Sequence, residues 1–413
     1  MLRLRELRTE NHHAARTGAA ASGCPRNLMA FALAVAGFAA APGILAVDDP
    51  AWTTFQGDAG HTGFIDRYLS SAPARVLWSR PVLGGAITGV AIGSGLVFVT
   101  ASDPLMLESS LVALDLASGS EQWRKTYPGT YSIGDPAYDP ALQRVFVQTN
   151  MFPFVFAFLR AYAAHDGAFH WRAELAIQTQ SSRAPVVAGG KVFTQAGYYG
   201  GIYAFVADSG EFRWYTQLPQ VVGWSPTAAG NNTLLAYTDR LDVLDQDTGA
   251  NVATIGDPGF ENFGRSDRSP IVTRDGLAVI SNGANLKALN LATLVPVWQV
   301  SLGSPGQASY DGSELLLTAN GRLQSRNPAT GALNWSLGPA GFRDEVIVFR
   351  GHVIARSEDS IHIVRRDTLA QEFTWSPAGT LAYGDDTLIV GGPDGVVTAI
   401  SLGSSALLID GFE

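Results

Sequence analysis

The stretch LVALDLASGSEQW, Leu111–Trp123, joins a short apolar run to a second run ending in tryptophan, through a tight turn built on Asp115, Ser118 and Gly119. Two strands linked by a glycine-bearing turn are what this pattern predicts. The same sentence returns as AYAAHDGAFHW (Ala161–Trp171), AFVADSGEFRW (Ala204–Trp214) and VLDQDTGANVA (Val243–Ala253). It returns again as ALNLATLVPVW (Ala288–Trp298), SRNPATGALNW (Ser325–Trp335) and IVRRDTLAQEF (Ile363–Phe373). The copies end at 123, 171, 214, 253, 298, 335 and 373, at spacings of 37 to 48 residues. A period of that size with strand content signals a propeller or another repeat array.

Around each copy the chain spells a four-stranded unit. In the third, an inner strand at Ala184–Val187 is followed by a turn at Gly189 and Gly190 and a second strand at Val192–Gln195. A third strand, Ile202–Val206, then reaches the Asp-Ser-Gly turn and an outer strand carrying Trp214. The turn glycine supplies a left-handed position that other residues reach only at a cost, and the nearby aspartate can bond the turn amides. Seven complete units lie between Trp78 and Phe373. Residues 380–402 spell three further strands without a fourth, and Arg75–Pro81 is a tryptophan-bearing strand without partners. Joining the two makes an eighth blade from both ends of the chain and closes the ring without free edges. The expectation is therefore an all-β, eight-bladed propeller of four-stranded antiparallel blades, with seven blades as the alternative if the fourth copy is merged into its neighbour.

Composition agrees with a large core of short strands. Of 413 residues 46% are hydrophobic and 16% charged, and there are 45 Gly and 21 Pro. The chain opens on a basic stretch with Arg3, Arg5, Arg8, Arg16 and Arg26, followed by an apolar run, Ala30–Ala41, and small residues up to Ala46. This reads as an export signal cleaved before Val47, with Met29 as an alternative start, and its apolar run is short for a membrane span. The domain expectation is a signal peptide at 1–46, a propeller at 47–403 and a tail at 404–413, in a protein that is periplasmic or secreted. Without residues 1–46 the chain keeps 23 of its 28 basic and 35 of its 37 acidic residues, a net charge of −12. Such acidity argues against nucleic acid or anionic lipid as the main partner. Cys24, the one cysteine, precedes the apolar run, so the expected mature chain has neither a disulfide nor a thiol nucleophile.

After the leader comes Trp52-Thr-Thr-Phe-Gln-Gly-Asp-Ala-Gly-His-Thr-Gly63, then Leu77-Trp78-Ser79 and the repeated ALDxxTGxxxW units. This opening and these repeats resemble the pyrroloquinoline-quinone-like (PQQ-like) β-propeller family over residues 52 to 402. The fourth copy departs from the pattern with Ala253 in place of tryptophan, and the fifth and seventh with Leu294 and Leu369 in place of the turn glycine. The resemblance implies that the outer-strand tryptophans fill the wedge between blades. It is similar to the non-catalytic branch that includes the propeller component of the outer-membrane β-barrel assembly machinery. It implies a protein or peptide partner in the cell envelope, and a monomer. The family's quinone-dependent dehydrogenases use paired cysteines, a calcium held by Glu and Asn, and an Asp base. None of these maps onto this chain, so the expectation is a non-enzymatic scaffold with no cofactor, and a quinone-dependent oxidoreductase or a small-ligand or glycan binder as the alternative.

Five histidines, His61, His165, His170, His352 and His362, remain after the leader, none at ligand-like spacing with a carboxylate cluster. Asp245-Gln-Asp247-Thr-Gly249 imitates the start of a calcium loop but lacks the later glutamate and falls where the other copies have their turn. The remaining candidate is the axial face. Aligning the inner strands puts Thr88, Gly134, Arg183, Trp224, Arg268, Gly306, Asp344 and Gly379 just ahead of them. Arg183, Trp224 and Arg268 on consecutive blades, with Asp344 two blades on, combine fork-shaped donors with a flat apolar surface, a mixture enriched at binding hot spots. The plainer expectation is that the arginines pair with carboxylates such as Asp135 or Asp267.

Overall fold

The structure is a computed structural model that describes residues 52–403 except 70–72, 83, 104, 106, 152–155, 178–182, 198, 222 and 258–267. The chain divides into units 1–39 and 40–413, and the account below concerns the second. The expected signal peptide at 1–46, Cys24 and the expected tail at 404–413 lie outside the described residues.

Every described element is a strand; apart from Phe64–Ile65 the strands pair antiparallel, in six sheets of four or five strands and one of eight that joins two groups. The first group is Ile87–Gly93, Leu96–Asp103, Glu108–Asp115 and Glu121–Pro128. In the second group the inner strand is split into Thr130–Ile133 and Ala137–Asp139, both paired to Arg144–Met151. One 17-residue strand, Leu333–Phe349, serves as the outer strand of one group and the inner strand of the next. The last group takes Thr380–Gly384, Thr387–Gly391 and Val396–Ser401 from the end of the chain, and its fourth member is Arg75–Pro81 from the beginning. Arg75 pairs with Ser401 and Pro81 with Val396, so the two ends close the array and bury its edge. The all-β propeller class read from the repeats is the class observed. Below, blades are numbered by the repeat copies, with the shared group last.

The two ends of the repeated sentence act on different seams. Within a blade the tryptophan lies across from a small residue of the third strand: Trp123 from Ala113, Trp171 from Ala161, Trp214 from Ala204, Trp298 from Ala288. Its ring then reaches over the boundary to the turn glycine of the following blade. A Cβ on Gly210 would lie 2.5 Å from Trp171, and one on Gly249 would lie 2.4 Å from Trp214. The indole N–H donates to the carbonyl three residues before that glycine: Trp78 to Leu116 at 2.9 Å, Trp123 to Ala164 at 2.7 Å, Trp171 to Ala207 at 3.0 Å and Trp214 to Gln246 at 3.0 Å. Thus the glycine both turns the chain and leaves room for a neighbour's ring.

The fourth copy is irregular. Ala253 replaces the tryptophan, and it faces Val243 instead of alanine. The following blade carries Leu294 at the turn, with φ 60°, in place of glycine. Leu294 is 41% exposed, and Val243 and Ala253 pack with Leu289 and Leu291.

Candidate functional site

The sequence Trp52–Ile65 builds the floor of the axial site. It lies across the inner strands and bonds to one blade after another. Ile92 N–H donates to Trp52 O at 2.8 Å, Tyr138 N–H to Thr53 O at 2.7 Å, and Ala228 N–H to Ala59 O at 2.8 Å. Farther round, Tyr310 N–H donates to Thr62 O and Val348 N–H to Gly63 O, both at 2.8 Å. Phe64–Ile65 then pairs in parallel with Val348 and Phe349. The side chains add to this: Thr54 Oγ1 donates to Pro185 O at 2.9 Å, and His61 is fully buried with its ring nitrogens 2.8 Å from Phe55 O and 3.0 Å from Pro226 O. Burial holds the His61 imidazole below its ordinary range, against the pull of the Phe55 and Pro226 carbonyls.

Each fixed residue of the opening motif has a local reason. Trp52 is 2% exposed and its ring roofs Gly57, which sits at φ 87°. Asp58 Oδ1 accepts from Gly60 N–H at 2.8 Å and Thr62 N–H at 3.2 Å, and its other oxygen accepts from the Thr62 hydroxyl.

Above the floor the inner strands are tied sideways by hydroxyls and amides. Ser225 Oγ donates to Ala184 O, Thr227 Oγ1 to Pro270 O and Ser309 Oγ to Val346 O, at 2.7 to 2.9 Å. Gln307 spans the next seam, accepting from Ser269 N–H at 2.9 Å and donating to its carbonyl at 3.0 Å. Pro136, Pro185, Pro226 and Pro270 recur in this column. Proline lacks an N–H, so a strand with no sheet neighbour on its axial side leaves one fewer donor unpaired there.

The aligned residues lie four positions before the amides that hold the floor, about 13 Å along an extended strand. Arg183 is there as expected: its guanidinium stands 5.0 Å over the Phe55 ring and 3.7 Å from Asp135, and Nε donates to Gly223 O at 3.4 Å. Asp344 is bonded by Arg356, whose Nε lies 3.0 Å from Oδ2. Arg268 is half-buried at the start of the fifth blade, and Asp267 lies outside the described residues. Trp224 is different. It is 1% exposed, its Nε1–H donates to Val221 O at 2.8 Å, and it packs with Trp214, Leu218 and Leu234. The ring is core between the third and fourth blades, so it offers no flat surface to a ligand. The indole buries its large apolar area in that cluster, and its one polar atom finds the Val221 carbonyl locally.

Two carboxylates sit one position further on: Asp135, named in sequence as a partner for the arginines, and Glu345, which was not. Asp135 and Glu345 follow Gly134 and Asp344 in the aligned column. Asp135 is 8% exposed, and burial, reinforced by Glu345 and opposed by Arg183, pushes its carboxyl up to about 6. Gly89 of the first blade makes this burial possible, since a Cβ on it would lie 2.4 Å from that of Asp135. Burial works against the Arg356 charge, but Glu345 and Asp344 outweigh it and raise its pKa. The site is thus a mouth with alternating charge, Asp135–Arg183 on one side and Glu345, Asp344 and Arg356 on the other, above an aromatic floor at Phe55. Among the described residues no three His, Cys, Asp or Glu gather as a metal site. The Asp245–Gly249 segment is a turn: Asp245 Oδ1 accepts from Thr248 N–H at 2.8 Å and from Asp247 N–H at 3.0 Å.

The family model described as outer membrane protein assembly factor BamB matches residues 156–311 and 295–410. BamB from Moraxella catarrhalis superposes with a TM-score of 0.61 at 19% identity, covering 81% of this chain and 100% of that one. A europium-containing methanol dehydrogenase gives a TM-score of 0.65 at 10% identity, over 85% of this chain and 98% of that one. The computationally designed Ika8 protein gives 0.59 at 15% identity, over 78% and 98%. None of the curated proteins matches.

Proposed function

The chain belongs to the outer membrane protein assembly factor BamB family, and from that premise we propose that it is an exported, non-enzymatic, eight-bladed propeller that docks a protein or peptide of the bacterial envelope at its charged mouth. Family membership supports a protein-binding envelope propeller in general terms. The finer reading is supported by one observation: Trp52–Ile65 bonds across the inner strands at one end of the axis, and the partly buried ion pairs Asp135–Arg183 and Asp344–Arg356 stand at the other. A partner meets rigid strand ends carrying Asp135–Arg183 and Asp344–Arg356, and can insert a loop or side chain toward Phe55. Charged groups so arranged select the partner and its orientation more than they add affinity. The leader at 1–46, the propeller at 47–403 and the monomeric state belong to this proposal.

The methanol dehydrogenase likeness raises the question of a quinone. The axial residues do not fit one: Thr54 and His61 lie across the axis, bonded to carbonyls of the third and fourth blades, and Trp224 is buried away from it. A thermal scan with the quinone and calcium tests this reading. An unchanged melting temperature is expected; a calcium-dependent rise with added quinone would overturn the non-enzymatic assignment.

A further inference from the structure

The seam between the seventh and eighth blades, like that between the fourth and fifth, carries no tryptophan at the last position of the repeat. In the regular blades the residue after the third strand begins a turn that covers the previous blade's tryptophan. In the eighth blade that residue is Leu402, and the outer strand comes from Arg75–Pro81 instead of from the chain that follows. The seventh blade presents Phe373 in place of tryptophan. A groove of about 820 Å³ opens there, lined among others by Tyr68, Arg350, His352, Arg365, Phe373 and Leu402. Tyr68 is 63% exposed, and Nδ1 of His352 is buried without a hydrogen-bond partner among the described residues, although Nε2 bonds Glu372 at 2.9 Å.

We propose that residues 404–413 fold back into this groove and cover Phe373, supplying at the last seam what the turn supplies at the others. The chain arrives at the place required, since Leu402 itself lines the groove. Ten residues reach about 33 Å when extended, more than enough to cross it. Leu407, Leu408, Ile409 and Phe412 match the apolar wall of Tyr68, Leu69, Ile363 and Phe373. Asp410 and Glu413 match Arg350 and Arg365, whose side chains keep 50% and 45% exposure beside Asp66 and Glu372.

The test uses the full chain with a photoreactive phenylalanine analogue at position 412, followed by peptide mapping, and amide exchange of the unlabelled protein. Crosslinks within the same molecule to 68–74 or 350–373 are expected. The Leu408→Asp/Phe412→Asp variant should speed exchange at 371–373 about tenfold, and Arg365→Glu should reduce the crosslink while the ring stays folded. Crosslinks to a second copy, to another protein, to a different surface or to nothing would overturn the proposal. So would exchange at 371–373 that is the same in wild type and variant.

Discussion

A double-mutant cycle on Trp171 and Gly210 tests the lock between blades. Gly210 has φ 72°, and an alanine Cβ there would meet Cδ2, Cε3 and Cγ of Trp171 at 2.5, 2.7 and 2.8 Å. The backbone term alone costs about 1–2 kcal/mol. Moving a close-packed indole aside by nearly 1 Å adds overpacking of about 1–3 kcal/mol. Trp171→Ala costs about 3–5 kcal/mol, including roughly 1 kcal/mol for the lost bond to Ala207 O. Once the indole is gone, Gly210→Ala retains only its backbone term. The two changes together should therefore destabilise less than the sum of the singles, by about 1–3 kcal/mol. Urea unfolding of the four proteins, followed by tryptophan-independent far-ultraviolet circular dichroism, measures this. Equal costs for Gly210→Ala with and without Trp171 would refute the lock, and leave glycine there for its backbone alone.

Three further outcomes follow from the same contacts. Ala253→Trp alone should destabilise by about 2 kcal/mol or more through contact with Leu294, and Val243→Ala/Leu294→Gly added to it should restore the loss; a triple variant no better than the single one contradicts the compensation. Asp135 has a folded value of about 6 against 3.8 in the unfolded chain, so the folded protein holds a proton that the unfolded chain releases in that window, and stability falls as pH rises through it. Asp135→Asn should remove up to about 3 kcal/mol of that fall, read as denaturation midpoints at pH 4 and 7; parallel profiles would contradict the burial of a titrating carboxyl. Thr227→Val, which loses the hydroxyl bond to Pro270 O, should cost about 1 kcal/mol, while the same change at exposed Thr374 should cost little.

Most of the architecture was legible because it is periodic. The repeat, the turn and the orphan strand Arg75–Pro81 were enough to place the eighth group, whose register, Arg75 against Ser401, only the structure gives. The small residue facing each tryptophan, alanine in most copies and Ser325 opposite Trp335, is also visible in the text of the repeat. What was not legible is contact across a seam. Trp171 and Gly210 stand 39 residues apart in different copies, and no local pattern says that one ring rests on the other. The site failed in a related way. A column of aligned residues fixes where each backbone sits but not which way each side chain turns. Trp224 therefore went to the core, while Asp135 and Glu345, one position along, faced the charges. The floor escaped notice because its bonds run from one irregular segment to successive blades, and irregular backbone has no period to read.

The account's central claim is that the charged mouth is the docking face, and site-specific crosslinking in the native envelope tests it most directly. A photoreactive residue placed at Arg343, exposed beside Asp344 at the mouth, should capture a specific envelope protein, and Arg183→Glu/Arg356→Glu should abolish the adduct while the chain stays folded. Capture from a position on the floor side, such as Arg67, with none from Arg343, would contradict it.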